Sequence, residues 1–278
     1  MKKFAVFVFV IFLSAPGVFA GESLINDPGR PYQLYLTAET GAVLITDHRI
    51  QFGVDGTFFD YVKEGGQNIL FPFNRYTAEL RLFEKHSVVF LYQPLEVITE
   101  AVAEQDLSFY GETFAKGTPM RFKYGFSFFR ASYLYYFIKE EKSELGAGVS
   151  LQLRNASIAF TSSDGAQQVI TQNLGPVPII KLAGKHRFES GEWAGIEADG
   201  FYASSAYLSG AEYPFEGAIW DISGRAGISL KNGISPFINL RYLGGGSKGT
   251  SQSKDATGDG FANNWLSTFS LTLGVVLE

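Results

Sequence analysis

The sequence predicts an all-β protein, a closed antiparallel up-and-down transmembrane β-barrel of about ten strands preceded by a cleaved signal peptide. Apolar side chains recur at every second position in one segment after another, which is the period of a strand. Aromatic residues make up 15% of the chain and charged residues only 18%, whereas charged residues usually make up about a quarter. Strands that face lipid on one side have this composition.

The first twenty residues have the order of a secretory signal peptide. Lys2 and Lys3 precede the apolar run Phe4–Leu13, and Ala20 ends a small-residue cleavage site. The apolar run is too short to anchor the chain across a membrane. We therefore expect cleavage after Ala20, with residues 21–278 forming a single barrel domain.

The charge and the absence of cysteine exclude several functions. The chain has 23 basic and 28 acidic residues, and loss of Lys2 and Lys3 would leave 21 against 28, a net charge of −7. An acidic chain lacks the basic footprint that nucleic-acid binding needs. With no cysteine, the chain has no disulfides, thiolate metal sites or cysteine nucleophiles.

Each predicted strand has one apolar and one polar face. In a membrane barrel the apolar face meets lipid and the polar face lines the lumen, whereas a soluble barrel has the reverse arrangement. We favour the membrane arrangement because the apolar faces carry almost no charge and the polar faces are rich in Gly, Ser and Thr. This facing predicts a lumen lined by charged residues: Glu39, Glu79, Arg81, Glu96, Glu100, Lys123, Arg130, Arg154, Lys181, Glu197, Asp199, Asp221, Arg225 and Arg241.

The alternation changes phase at one point, Phe128–Phe129. Apolar residues occupy even positions before it and odd positions after it. Either a β-bulge restores the facing, which we favour and which leaves Arg130 pointing inward, or the strand leaves the lipid here.

The connections alternate in length, as in outer-membrane barrels with short periplasmic turns and long extracellular loops. The predicted short turns lie near Glu84–Ser87, Lys139–Ser143, Glu189–Glu192 and Lys231–Gly233. The predicted long loops lie near Val54–Leu70, Glu104–Thr118, Asp164–Gly175, Tyr202–Tyr213 and Gly244–Gly260.

The charged lumen allows two interpretations. Barrels of about eight strands have interiors just wide enough for side chains, and porins become open channels at about sixteen. We therefore favour a lumen filled by ion pairs, with a structural or surface-interaction role. The alternative is a narrow pore whose charged lining selects small solutes.

An outer-membrane hydrolase or acyl-transfer enzyme is a further alternative. His48 is the one histidine on the predicted outer side, close in sequence to Asp47, Asp55 and Asp60, and a base of near-neutral pKa beside a carboxylate suits such chemistry. No nucleophile-elbow motif supports the idea. The loop Asp255–Gly260 begins like a calcium loop but lacks its glutamate, so no metal and no cofactor is predicted.

Four basic residues near the predicted outer rim are candidates for binding lipopolysaccharide phosphates, with ordinary interfacial charge as the alternative. They are Arg49, Arg75, Lys116 and Arg121.

Three stretches carry a family resemblance: Gly56–Asp60, Tyr133–Phe137 and Leu145–Arg154. On these the chain resembles bacterial outer-membrane β-barrel proteins, specifically a family of roughly ten-stranded barrels. The resemblance implies the outer membrane as location and the barrel-assembly machinery as a partner during biogenesis, but no activity. One departure is the C-terminus, Leu277–Glu278, where many such proteins end on an aromatic residue.

Overall fold

The computed structural model describes residues 25–26, 30–206, 214–230, 233–250 and 258–278, and the predicted signal peptide lies outside this part of the chain. No helix among the described residues is long and apolar enough to cross a membrane. The strands are β1 (Tyr32–Phe52), β2 (Phe59–Asp60), β3 (Leu70–Leu82), β4 (His86–Gln93), β5 (Glu96–Val102), β6 (Leu107–Phe109), β7 (Glu112–Phe114), β8 (Pro119–Lys139), β9 (Ser143–Ser162), β10 (Gln168–Arg187), β11 (Glu192–Ser204), β12 (Phe215–Ile228), β13 (Ile234–Thr250) and β14 (Phe261–Leu277).

The strands form a closed antiparallel barrel, which confirms the predicted fold class. Each strand pairs with its neighbours in the order β14-β13-β12-β11-β10-β9-β8-β4-β3-β1, and β14 pairs again with β1 to close the ring. Both β4 and β5 pair with β8, so they are two pieces of one barrel strand and the barrel has ten strands. The hairpin of β6 and β7 forms a separate small sheet.

Several strands are about twice as long as a membrane crossing requires. β8 has 21 residues, and β9 and β10 have 20 each, whereas a tilted strand crosses the bilayer in about 9–11. Tight turns join strands at one end of the barrel, called the inner end here because such turns are periplasmic in outer-membrane barrels. The opposite, outer end therefore extends well beyond the lipid.

The predicted long loop at Asp164–Gly175 is wrong. β9 and β10 pair up to Thr161 and Gln168, which leaves only a tight connection between them. Polar residues such as Gln168 and Gln172, both exposed, obscured the strand. Beyond the bilayer a strand needs no apolar outer face, so the alternation that marks a membrane strand is missing there.

The predicted bulge at Phe128–Phe129 is also wrong, because β8 and β9 pair without interruption from Met120 to Tyr136. The two faces keep their directions and exchange their polarity instead. Towards the outer end, Phe122 is buried inside and Arg121 is exposed outside. Towards the inner end, Arg130 is buried inside and Phe129 is exposed outside. The strand thus leaves the lipid at this level, which was the alternative interpretation.

An apolar core fills much of the interior of the outer half. The connection between β1 and β3 folds into the lumen, and the β6–β7 hairpin packs over it. The ring centroids of Phe109 and Phe160 lie 3.9 Å apart. This core, called the apolar plug below, includes the fully or almost fully buried residues Ile50, Phe52, Phe59, Tyr61, Leu107, Phe109, Phe114, Phe122 and Phe160.

Candidate functional site

A layer of polar side chains crosses the lumen on the inner side of the apolar plug, and every barrel strand contributes to it. We call it the ion-pair layer. Its members are all buried, as expected where the inward face of each strand meets the faces of the others across a narrow barrel. They are, in chain order, Glu39, Arg75, Gln93, Arg130, Gln152, Lys181, Asp199, Asp221, Arg241 and Thr272.

Asp221 on β12 lies at the centre of the layer. Its Oδ2 atom is 3.1 Å from Nη1 of Arg75 on β3 and 3.1 Å from Nη1 of Arg130 on β8. Arg241 on the adjacent β13 pairs with the other carboxylate oxygen. β3 and β8 flank β4 in the strand order, and both lie on the far side of the barrel from β12. Their side chains therefore meet in the middle of the lumen and close it.

Two further carboxylates complete the layer. Glu39 accepts hydrogen bonds from Arg225 at 3.0 Å, from Asn239 at 2.7 Å and from Thr272 at 3.1 Å. Asp199 is 3.0 Å from both Arg130 and Lys181. Buried ions are tolerated when they are paired and hydrogen-bonded in this way.

A second charged cluster lies at the inner end of the lumen. Arg81 pairs with Glu79 and with Glu144, each at 2.9 Å. Glu144 also binds Arg187 at 2.6 Å and Lys139 at 3.0 Å. Sequence reasoning missed Glu144 and Arg187 because both lie next to predicted turns, where charged residues are usually solvated.

Three predicted lumen residues lie on the outside of the barrel instead. Glu96, Glu100 and Lys123 are on the outward face of β5 and β8 in the outer half, and Lys123 pairs with Glu96 at 2.9 Å with both side chains substantially exposed. The prediction was wrong for them because it assumed that apolar faces point to lipid at every level. The structure places the other predicted lumen charges inside, and Arg154 lines an interior cavity.

The structure contradicts the prediction that His48 is catalytic, because its side chain is inaccessible to solvent. Its exposed fraction is 0%, and it lies inside the outer half rather than in an outer loop. The ring stacks on Tyr61 at 4.3 Å between centroids, and Nδ1 is 2.7 Å from the amide oxygen of Gln67. Neither carboxylate orients it: Asp47 pairs with Arg49, and Asp60 accepts backbone N–H bonds in its own loop. Burial also raises the pKa of the Tyr61 phenol well above its usual value.

The predicted lipopolysaccharide set is divided by the structure. Arg75 is wrong as a rim residue, because it is 1% exposed and belongs to the ion-pair layer. Its position on a polar face gave no indication of its height in the barrel. Arg49, Lys116 and Arg121 are exposed in the outer half. Arg49 pairs with Asp47 at 2.6 Å.

Metal binding receives no support from the described residues, where no group of three or more histidine, aspartate or glutamate side chains is placed to hold an ion. Residues 255–257 of the predicted loop Asp255–Gly260 lie outside the described residues.

A belt of exposed aromatic and aliphatic side chains surrounds the inner half of the barrel, over a polar, filled interior. Tyr133, Val149, Leu151 and Leu240 belong to it, with exposed fractions from 45% to 63%. A closed antiparallel barrel with such a belt defines the class of bacterial outer-membrane β-barrels.

Comparison with solved structures agrees with that class. The chain is similar to the outer membrane protease OmpT from Escherichia coli, with a TM-score of 0.51 and 11% identity over 88% of this chain and 96% of that chain. It is also similar to the transport unit of the autotransporter AIDA-I from Escherichia coli (TM-score 0.40, 8% identity, 91% and 92% covered). A third similar structure is the toluene transporter TodX from Pseudomonas putida, with a TM-score of 0.34 and 9% identity over 88% of this chain and 90% of that chain. No family model and no curated protein matches the chain. At these identities the first likeness shows the fold alone.

Proposed function

We propose that the protein resides in the outer membrane as a closed barrel, which does not conduct solutes and presents its outer half as an interaction surface. The ion-pair layer carries this proposal. Arg75 and Arg130 both reach across the lumen to Asp221, each at 3.1 Å, so no open path for hydrated ions lies between the two walls at this level.

Both the apolar plug and the ion-pair layer narrow the lumen along the barrel axis. The apolar plug fills much of the outer half, and the ion-pair layer crosses the lumen on its inner side. A charged constriction with unpaired groups would suit a selective pore, but here the charges are paired with one another across the lumen. The enzyme alternative is weaker still, because His48 has neither solvent access nor an orienting carboxylate.

Single-channel conductance of the refolded protein in planar bilayers tests the proposal. A heat-shift gel establishes that the barrel is folded, and an open porin reconstituted in the same way is the positive control. We expect no discrete steps from the wild type, because paired side chains of the ion-pair layer close the lumen. Reproducible steps from the wild type that change in Glu39→Gln would demonstrate a path through the lumen and overturn the proposal.

The partner proposed for this surface is lipopolysaccharide, because the outer half carries exposed cations. Arg49, Lys116 and Arg121 would bind phosphate groups of lipopolysaccharide by charge-assisted hydrogen bonds. A double variant, Lys116→Gln with Arg121→Gln, should lose the extra thermal stability that lipopolysaccharide vesicles confer over phosphatidylcholine vesicles. Lys142→Gln, an exposed cation at the inner end, is the matched control and should keep that stability. If lipopolysaccharide vesicles stabilised the two variants equally, the proposed contact with lipopolysaccharide would be ruled out.

A further inference from the structure

A cavity of about 470 Å³ lies in the outer half, on the side of the barrel that the apolar plug leaves unfilled. Strands β8 to β14 surround it, and Tyr124, Phe201, Ile219, Leu243 and Leu266 are among its apolar walls. It extends from the ion-pair layer towards the outer ends of β12 and β13. A cavity of this size falls within the range of small-molecule sites.

Glycines on β13 keep one wall of the cavity free of side chains. The run from Gly244 to Gly246 lies along the lining. Gly245 has a φ of 153°, and a Cβ atom there would lie 2.3 Å from the backbone oxygen of Ala218. No other residue fits that position without moving the strand, so the bare wall is part of the local backbone geometry.

Arg154 projects into the inner end of the cavity and differs from the other inward-facing arginines. Each of these other arginines has a guanidinium nitrogen within 3.1 Å of a carboxylate oxygen. They are Arg75, Arg81, Arg130, Arg225 and Arg241. Arg154 has no ion pair or hydrogen bond among the described residues, and its Nε atom is buried without a partner.

A second buried donor lies beside this arginine. Gln152, two residues earlier on β9, uses its amide oxygen to bind Arg130 at 2.7 Å. Its amide nitrogen is buried, has no hydrogen-bond partner and belongs to a residue that lines the same cavity. Unpartnered buried donors are costly, and a bound acceptor would offset that cost.

We propose that this cavity binds a small amphipathic carboxylate, aromatic or short-chain, with its carboxylate on Arg154 and its apolar body against the aromatic and aliphatic walls. A guanidinium binds a carboxylate through two parallel hydrogen bonds, which are strong where water is excluded. Glu216 and Lys248 line the outer part of the cavity and carry opposite charges, so the entrance does not select against an anion.

Isothermal titration calorimetry with 2-naphthoate tests the proposal, using the protein in phosphatidylcholine nanodiscs and empty nanodiscs as the blank. We expect saturable one-to-one binding that Arg154→Gln weakens about tenfold or more, because a charge-assisted pair is lost. The neutral analogue 2-naphthol should bind at least about tenfold more weakly than the anion. Lys142→Gln removes an exposed cation at the inner end of the barrel, away from the cavity, and should bind like the wild type.

A second variant keeps the test decisive if Arg154→Gln does not fold. Ala203 lines the cavity, and Ala203→Trp should abolish naphthoate binding by occupying the space while Arg154 stays. The proposal is overturned if the wild type shows no saturable binding, if Arg154→Gln binds like the wild type, or if 2-naphthol binds as tightly as 2-naphthoate. None of these results depends on conductance, so the closed-barrel proposal stands or falls separately.

Discussion

Asp221→Ala should lower the free energy of unfolding of the barrel by about 3–5 kcal/mol, because it leaves a buried charge without compensation. The structure shows which one. Arg130 would keep Asp199 at 3.0 Å, and Arg241 would keep Glu39 at 3.7 Å. Arg75 would keep only the amide oxygen of Gln93. At about 1.4 kcal/mol per tenfold, the folding equilibrium should shift by at least two orders of magnitude.

Urea unfolding in liposomes, followed by tryptophan fluorescence, measures this loss. Ser223→Ala is the matched control, since Ser223 is buried two residues along β12 and its hydroxyl has no hydrogen-bond partner. It should cost less than about 1 kcal/mol. Adding Arg75→Met to Asp221→Ala should restore part of the stability, because the uncompensated charge is gone. An Asp221→Ala protein as stable as Ser223→Ala would refute the reasoning.

Three further predictions concern the two halves of the barrel. Leu151→Lys, on the apolar belt, should lower the free energy of unfolding by about 2–4 kcal/mol, whereas Ile98→Lys, on the outward face of the outer half, should lower it by less than about 1 kcal/mol. Equal losses in urea unfolding would contradict the assigned position of the lipid boundary. Phe109→Ala should cost about 3–5 kcal/mol, because it deletes a fully buried ring stacked on Phe160; a cost below about 1 kcal/mol would show that the plug is loosely packed. The free energy of unfolding of His48→Phe should lie within about 1.5 kcal/mol of the wild-type value, because the change conserves shape among aromatic rings. A larger loss would mean that the hydrogen bond between His48 and Gln67 contributes more than the ring packing.

Much of the fold follows from periodicity, which is set by the backbone alone. Residues such as Leu271 and Leu273 alternate with polar neighbours, and in the inner half that pattern also gives the correct facing. Periodicity cannot say which face points inward. For β5 and the outer part of β8 the answer depends on whether the strand is still in lipid, and a pattern of Phe122 against Arg121 is the same in both cases.

The interior was less accessible to sequence reasoning than the wall. Ion pairs such as Arg75–Asp221 join residues that are far apart in the chain and on strands that are not neighbours. The predicted loop at Val54–Leu70 folds inward, and its aromatic residues Phe59 and Tyr61 were an available signal, since solvated loops seldom need them. The cavity around Arg154 depends on how the plug fills the opposite side of the lumen, which no local pattern encodes.

The exchange of polarity along β8 is the central claim, and depth-dependent fluorescence quenching tests it most directly. The chain has no cysteine, so single cysteines can be labelled with an environment-sensitive dye at Val149 and Leu151 in the belt and at Glu96 and Arg121 in the outer half. Doxyl-labelled lipids should quench the two belt positions strongly and leave the two outer positions unquenched. Equal quenching at all four positions would place the outer half in the bilayer and contradict the account.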